Sequence, residues 1–360
     1  MAQQTGQANL APRQAQTLDR VDKQPLRADT DRRVKIDVHN HAMPENLIEF
    51  FASEPVFGIV RAGEYRLGGG PEGEMELTPA FRDADAKVAN LERHGLDAAI
   101  VSINPPFFHY EVDAGAGAAL ADAVNEGLRE MCAARRDRLW WMATVPLQDP
   151  HRSAAVLEEQ QQLGCVGVEI GTSTGERRLD DPFFEPFWAA AEGLGLPVML
   201  HPAFQHPHPG YADFQLQNAV GNLFETTIAI ERLIMSGTLD RHPGLRVVIV
   251  HSGGYFAYQH GRLRHARRVR SFPDGAPEEP LAYVGQIRSD CLTHDHKTLT
   301  FLIDQLGAEN LLMGTDLPAD MASPDPWDAL VAAAGEETAT KISRDNALEL
   351  FGLRIPAAAA

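Results

Sequence analysis

The feature that most constrains this chain is a rhythm: eight short apolar runs alternate with stretches of helical periodicity. The runs are Val34–Val38, Ala98–Ile103, Leu139–Val145, Cys165–Ile170, Pro197–Leu200, Arg246–Val250, Ile287–Leu292 and Asn310–Met313. Their near-continuous apolar character suits parallel strands buried on both faces, because a strand with one wet face alternates instead. Amphipathic patterns fill the intervals at Ala80–His94, Ala118–Ala134, Ser153–Leu163, Phe183–Leu194, Leu223–Leu239, Thr298–Leu306 and Glu336–Phe351. In the first, Phe81, Ala84, Val88 and Leu91 recur at three- and four-residue spacing, and Gly95 ends the pattern. Eight strand–helix alternations predict an α/β fold, a (β/α)8 TIM barrel. Periodicity alone leaves an open doubly wound sheet as the alternative. Two long intervals, after strands 1 and 5, break the rhythm, and insertions after a barrel strand fall on its catalytic face. Within the first, the Gly- and Glu-rich stretch Gly63–Glu76 reads as a lid.

A length of 360 residues then divides into an N-terminal arm (1–33), one barrel domain (34–353) and a short tail (354–360). The arm is Gln/Ala-rich without the apolar centre of a signal peptide, and reads as disordered or as lying on a partner subunit. No run reaches the roughly 20 apolar residues that a membrane-spanning helix needs. With 32 Lys+Arg against 50 Asp+Glu, the formal charge is −18. That surplus argues against nucleic acid and against an anionic membrane surface, both of which call for a cationic face. Cys132, Cys165 and Cys291 are too scattered for a structural zinc site and read as reduced thiols of a cytoplasmic protein.

Barrel chemistry comes from the C-terminal ends of the strands. Strand one ends Asp37-Val38-His39-Asn40-His41, and alternation puts His39 and His41 on one face. Strand five runs into His201, strand six into His251, and strand eight into Gly314-Thr315-Asp316. A lone histidine at a strand end is usually a satisfied polar residue. This set, spread over four strands, instead reads as a mononuclear divalent-metal site of nitrogen and oxygen ligands, with water completing the shell. His206 and His208 lie in a Pro-rich loop and read as solvated; His94, His109, His151, His242, His260 and His265 read as surface residues. No nucleophile elbow or phosphate loop is present. The arginine run Arg262–Arg270 is a solvated face or an anion grip.

The motifs IDVHNH (36–41), GVEIGT (167–172), LHP (200–202), ETTIAI (225–230), VHSGG (250–254), LTHD (292–295) and MGTD (313–316) resemble the metal-dependent amidohydrolase superfamily, in its decarboxylase-rich amidohydrolase-2 branch. The resemblance runs from Lys35 to Leu353. It implies that His39, His41, His201 and Asp316 ligate one divalent ion, Zn2+ first and Mn2+ second, with no organic cofactor. It implies that His251 is the unligated acid/base, with Asp316 as the other group able to carry a proton. Arg66 matches an arginine that grips the substrate carboxylate, and Arg262 one donated across a subunit interface, so a homodimer or higher homo-oligomer is expected. Two features depart from the pattern. Where relatives carry an aromatic after the metal Asp, this chain reads Leu317-Pro318-Ala319-Asp320; and Glu169 stands where binuclear hydrolases carry a modified lysine, which favours one ion over two. The expected reaction is non-oxidative decarboxylation of an unsaturated or aromatic carboxylic acid. A hydrolase or hydratase acting on a lactone, amide or double bond is the alternative.

Overall fold

In the computed structural model, which describes residues 34–70, 73–175, 177–203, 209–211 and 213–354, the eight runs form one parallel eight-stranded sheet. The strands are β1 (Ile36–Ala42), β2 (Ala98–Ile103), β3 (Leu139–Ala143), β4 (Gly167–Gly171), β5 (Val198–His201), β6 (Val247–Ile249), β7 (Ile287–Asp290) and β8 (Leu311–Leu312). Their spatial order is their chain order. The sheet closes where Val38 N–H donates to Met313 O at 2.9 Å and His41 N–H to Leu317 O at 2.8 Å. The barrel is therefore complete, and the open-sheet alternative falls.

One main helix follows each strand: α1 (Ala84–Arg93), α2 (Ala114–Ala134), α3 (Pro150–Gln162), α4 (Glu185–Leu194), α5 (Asn222–Met235), α6 (Phe256–Val269), α7 (His296–Leu306) and α8 (Pro326–Thr340). The helix expected over Ala80–His94 is in fact two, Pro79–Arg82 and α1. Asp83 breaks it: its backbone is extended, and its side chain accepts the Ala86 N–H at 2.8 Å as an N-cap. The Gly63–Glu76 stretch belongs to a three-stranded antiparallel sheet of Val60–Gly63, Arg66–Gly70 and Gly73–Glu76. The arm 1–33, residues 355–360 of the tail and the loop carrying His206 and His208 lie outside the described residues. Among the described residues, no helix is long and apolar enough to cross a membrane.

Two apolar clusters hold the barrel. The larger packs the outward strand faces (Val101, Val168, Leu200, Ile249) against the helices. The smaller joins Ile36, Ala98, Ile100, Met142, Met199, Val248 and Leu312 to Ala347 and Phe351 of the C-terminal helix Asn346–Phe351. Residues from so many strands meet only inside the cylinder, so this cluster fills the lumen at one end.

β1 carries the irregularity that matters for the other end. Ile36 lies opposite Ala98 but His41 opposite Ser102, so the pairing shifts between Asp37 and Asn40. Five steps on β1 match four on β2, which is a bulge, a device that re-aims side chains. Strict alternation would put His39 and Val38 on opposite faces. The bulge lets Ile36 and Val38 join the interior cluster while His39 and His41 still converge on the site.

Candidate active site

Three imidazoles meet because each has one ring nitrogen tied to an acceptor. His39 Nδ1 reaches Asp290 Oδ2 at 2.7 Å, His41 Nδ1 reaches the Ile103 carbonyl at 3.1 Å, and His201 Nδ1 the Pro202 carbonyl at 2.7 Å. Carbonyls only accept, so Nδ1 of His41 and His201 must donate, and the Nε2 atoms are left facing inward. His39 and His41 Nε2 stand 3.2 Å apart, and Asp316 Oδ1 lies 3.0 Å from His41 Nε2 and 3.6 Å from His39 Nε2. His201 Nε2 is buried with no hydrogen-bond partner. His251 Nε2 comes within 3.6 Å of Asp316 Oδ2, while its Nδ1 is buried and unpartnered. Two sets of donor atoms lie within 4.8 Å of one another: His39, His201, His251 and Asp316, and His41, Glu169 and His201. The structure thus gathers every strand-end residue singled out for metal or proton chemistry.

Electrostatics follow from burial against charge. Burial alone would lower His39, but Asp316 and Asp290 outweigh it and push the imidazole up to about 9. His201 is driven well below the usual histidine value by burial and by neighbouring imidazoles, which keeps it in the neutral, ligand-competent form. Asp316 stays well below the ordinary carboxylate range, because His39, His251 and His41 outweigh its burial. Glu169, fully buried, is pushed up to about 8 by burial, which outweighs the nearby His39 and Ser102.

Asp290, at the end of β7, is the main functional residue that sequence reasoning passed over. Besides holding His39, it accepts the backbone N–H groups of His251 (2.9 Å) and Ser252 (2.6 Å), tying β1, β6 and β7 together. The expected run Ile287–Leu292 keeps it two residues inside a strand, whereas the observed strand ends on it. A second network lies beneath. Asp37 accepts from Thr315 Oγ1 at 2.5 Å and Asn40 Nδ2 at 2.8 Å, and Lys87 Nζ donates to Asn40 Oδ1 at 2.8 Å and to the His41 carbonyl. Gly314 has no alternative here: a Cβ would stand 2.7 Å from Asp290 Cβ and 2.8 Å from His39 Cβ.

A cavity of about 300 Å³ opens beside His251 and Asp316, walled by Leu223, Leu292 and Met321 and edged by Asn218 and His294. A larger one, about 790 Å³, lies over Tyr110 and Arg177 and contains none of these residues. Size does not mark the site; converging donors do.

Arg66 and Arg262 do not line the cavity beside His251. Arg66 sits half-exposed in the antiparallel sheet, paired with Glu76 at 3.2 Å and Glu74 at 3.5 Å. Arg262 is exposed on α6 and has no ion-pair partner among the described residues. Two histidines expected at the surface are buried instead. His109 packs against the rings of Phe51, Phe57 and Phe107 and meets Glu111 at 2.7 Å; His242 is held between Glu185 and Glu192 at 3.0 Å each. His109 has local neighbours in Phe107 and Glu111 but owes its burial to Phe51 and Phe57, and the carboxylates that hold His242 lie 50 and 57 residues away, so periodicity reveals neither.

A family profile described as amidohydrolase matches residues 36–353. A curated 2-amino-3-carboxymuconate-6-semialdehyde decarboxylase from Dictyostelium discoideum is 28% identical over 334 residues, covering 89% of this chain and 92% of the relative. A gamma-resorcylate decarboxylase from Rhizobium radiobacter is 30% identical over 291 residues, covering 75% of this chain and 87% of the relative. Among solved structures, a dihydroxybenzoic acid decarboxylase from Polaromonas sp. JS666, determined with bound manganese and the inhibitor 2-nitroresorcinol, shares the fold. Its TM-score is 0.73 at 24% identity, over 89% of this chain and 97% of that one.

Proposed function

The chain belongs to the amidohydrolase family, and on that premise we propose that it is a metal-dependent, non-oxidative decarboxylase of an aromatic or unsaturated carboxylic acid. The observation that carries this reading is the inward convergence of His39, His41 and His201 Nε2 on Asp316, with each Nδ1 already occupied. Relatives along most of the chain are named decarboxylases of such acids, which supports it further.

The donor set fits a divalent ion: three imidazoles, one carboxylate and a buried Nε2 with no hydrogen-bond partner. His39, His41, His201 and Asp316 would hold it. Three imidazoles and a carboxylate suit Zn2+, with Mn2+ as the second choice. When bound, such an ion supplies a Lewis acid that polarises an oxygen of the substrate. The chain's own residues do the rest. Asp290 fixes the His39 ring and, through two backbone N–H groups, the turn that carries His251. His251, at the cavity wall, moves the proton. The bond from the substrate carbon to its carboxylate breaks, the electron pair stays on that carbon, CO2 leaves and a proton takes its place. Asp316 is the alternative proton donor. Leu223, Leu292 and Met321 offer an apolar wall for a flat substrate.

Arg262, exposed on α6, is the residue a second copy of the chain would bring to this cavity, and a homodimer is part of the proposal. Arg66 could grip a carboxylate only by leaving Glu74 and Glu76. The three cysteines are free and buried, as a reducing compartment permits, and the cytoplasm is the proposed location. The test is CO2 release from a panel of hydroxybenzoate and carboxymuconate acids by the metal-loaded protein. Release from at least one acid is expected. If every acid is inert while a lactone is hydrolysed, the hydrolase reading replaces this one.

A further inference from the structure

Seven non-glycine residues among those described have a positive φ, and four of them line the cavity of about 300 Å³ beside the site: His251 (53°), Ser252 (59°), His294 (55°) and Asp316 (67°); His294 also borders a neighbouring cavity of about 430 Å³ that reaches Gly314. A left-handed backbone is unfavourable for a residue with a Cβ, and such strain persists where the surrounding structure and its use maintain it. His251 and Asp316 already have work there, and Ser252 donates its backbone N–H to Asp290. His294 has none. Its imidazole makes no hydrogen bond or ion pair among the described residues. It is exposed, whereas the His251 and Asp316 side chains are only 14% and 13% exposed. The cavity therefore runs from His251 and Asp316 at its buried end outward to the exposed His294.

We propose that His294 positions the substrate by hydrogen-bonding a hydroxyl or amino group carried away from the carboxylate that is lost. The inference rests on the reading of the cavity as a site for an aromatic or unsaturated acid. With the carboxylate at the inner end and the ring between Leu223, Leu292 and Met321, a polar substituent on the far side faces the exposed His294, beside Asn218, Thr293 and Thr298 on the same lining. An imidazole can donate or accept there, so both hydroxyl and amino groups are served.

The test compares the metal-loaded parent with His294→Gly, a variant that removes the side chain and suits the left-handed backbone. Calorimetric titration with benzoate and with its 3-hydroxy, 4-hydroxy and 4-amino derivatives reads the contact directly. At least one substituted acid should bind the parent more tightly than benzoate, by about 3- to 10-fold for one hydrogen bond. That advantage should vanish in His294→Gly while benzoate affinity holds and the unfolding temperature stays level or rises. Persistence of the advantage in the variant, or its absence in the parent, would overturn the assignment. So would a lower unfolding temperature with equal loss of all four acids, which would make His294 a structural residue. If no acid binds the parent at all, the decarboxylase reading itself fails and takes this inference with it.

Discussion

The two ends of the barrel interior are built on the same strands and behave oppositely. Along β5, Met199 belongs to the apolar cluster and His201, two residues on, to the site; along β2 the same step separates Ile100 from Ser102. At β8, Leu312 seals the lumen, and Gly314, two residues past the strand, lets Asp290 and His39 approach. The apolar end is satisfied throughout by packing. At the polar end His201 Nε2 and His251 Nδ1 are buried without partners. A folded chain tolerates such unpaired groups where another ligand completes them, and the packed end supplies the rigidity that holds them in place. Stability and chemistry are thus separated by a few ångströms along single strands, and substitutions should separate them too.

The largest effect should come from Asp316→Asn, since Asn accepts the left-handed backbone but loses the charge. Metal occupancy should fall and CO2 release drop on the order of 10³-fold, as read by elemental analysis and a CO2 assay. Full occupancy would remove Asp316 from the ligand set. At the opposite end, Phe351→Ala should lower the unfolding free energy by about 3–5 kcal/mol in denaturant titration, with metal stoichiometry unchanged. Loss of metal without loss of stability would erase the contrast between the two ends. Asp290→Asn should lie between them, weakening metal affinity by about 10- to 100-fold through a loosened His39 ring; unchanged affinity in a chelator competition would reduce Asp290 to a backbone tie.

The smallest effect is one of pH and lies outside the barrel interior. Glu231, on α5, has both carboxylate oxygens buried without a partner, and burial pushes it from 4.5 up to about 7. Between those values the unfolded chain is ionised while the folded chain keeps its proton, so folding stability falls as pH rises through that window. Glu231→Gln should flatten that decline in unfolding free energies measured across pH 4.5 to 7. An unchanged slope would place the titrating group elsewhere.

Most of the barrel was legible because strands buried on both faces leave continuous apolar runs, and each of the eight expected runs contains or overlaps an observed strand. The donors His39, His41, His201, His251 and Asp316 were legible because barrel geometry makes a polar residue at a strand end stand out. What escaped depends on contacts that sequence distance hides. The break at Asp83 is a capping choice within a continuous helical pattern. Burial of His109 depends on Phe51 and Phe57, about fifty residues upstream. The β1 bulge leaves no mark in IDVHNH, because a one-residue insertion changes the pairing and not the composition. Asp290 escaped because the expected run Ile287–Leu292 places it inside the strand, two residues short of the end where polar residues stand out.

The central proposal is a division of labour in which His201 would hold the ion and His251 would move the proton. Metal content and CO2 release, measured together on His251→Ala and His201→Ala, test it most directly. His251→Ala should keep the parent's metal content and lose about 10²- to 10⁴-fold in CO2 release, while His201→Ala loses both. Loss of metal in His251→Ala, or full CO2 release from either variant, would contradict the account.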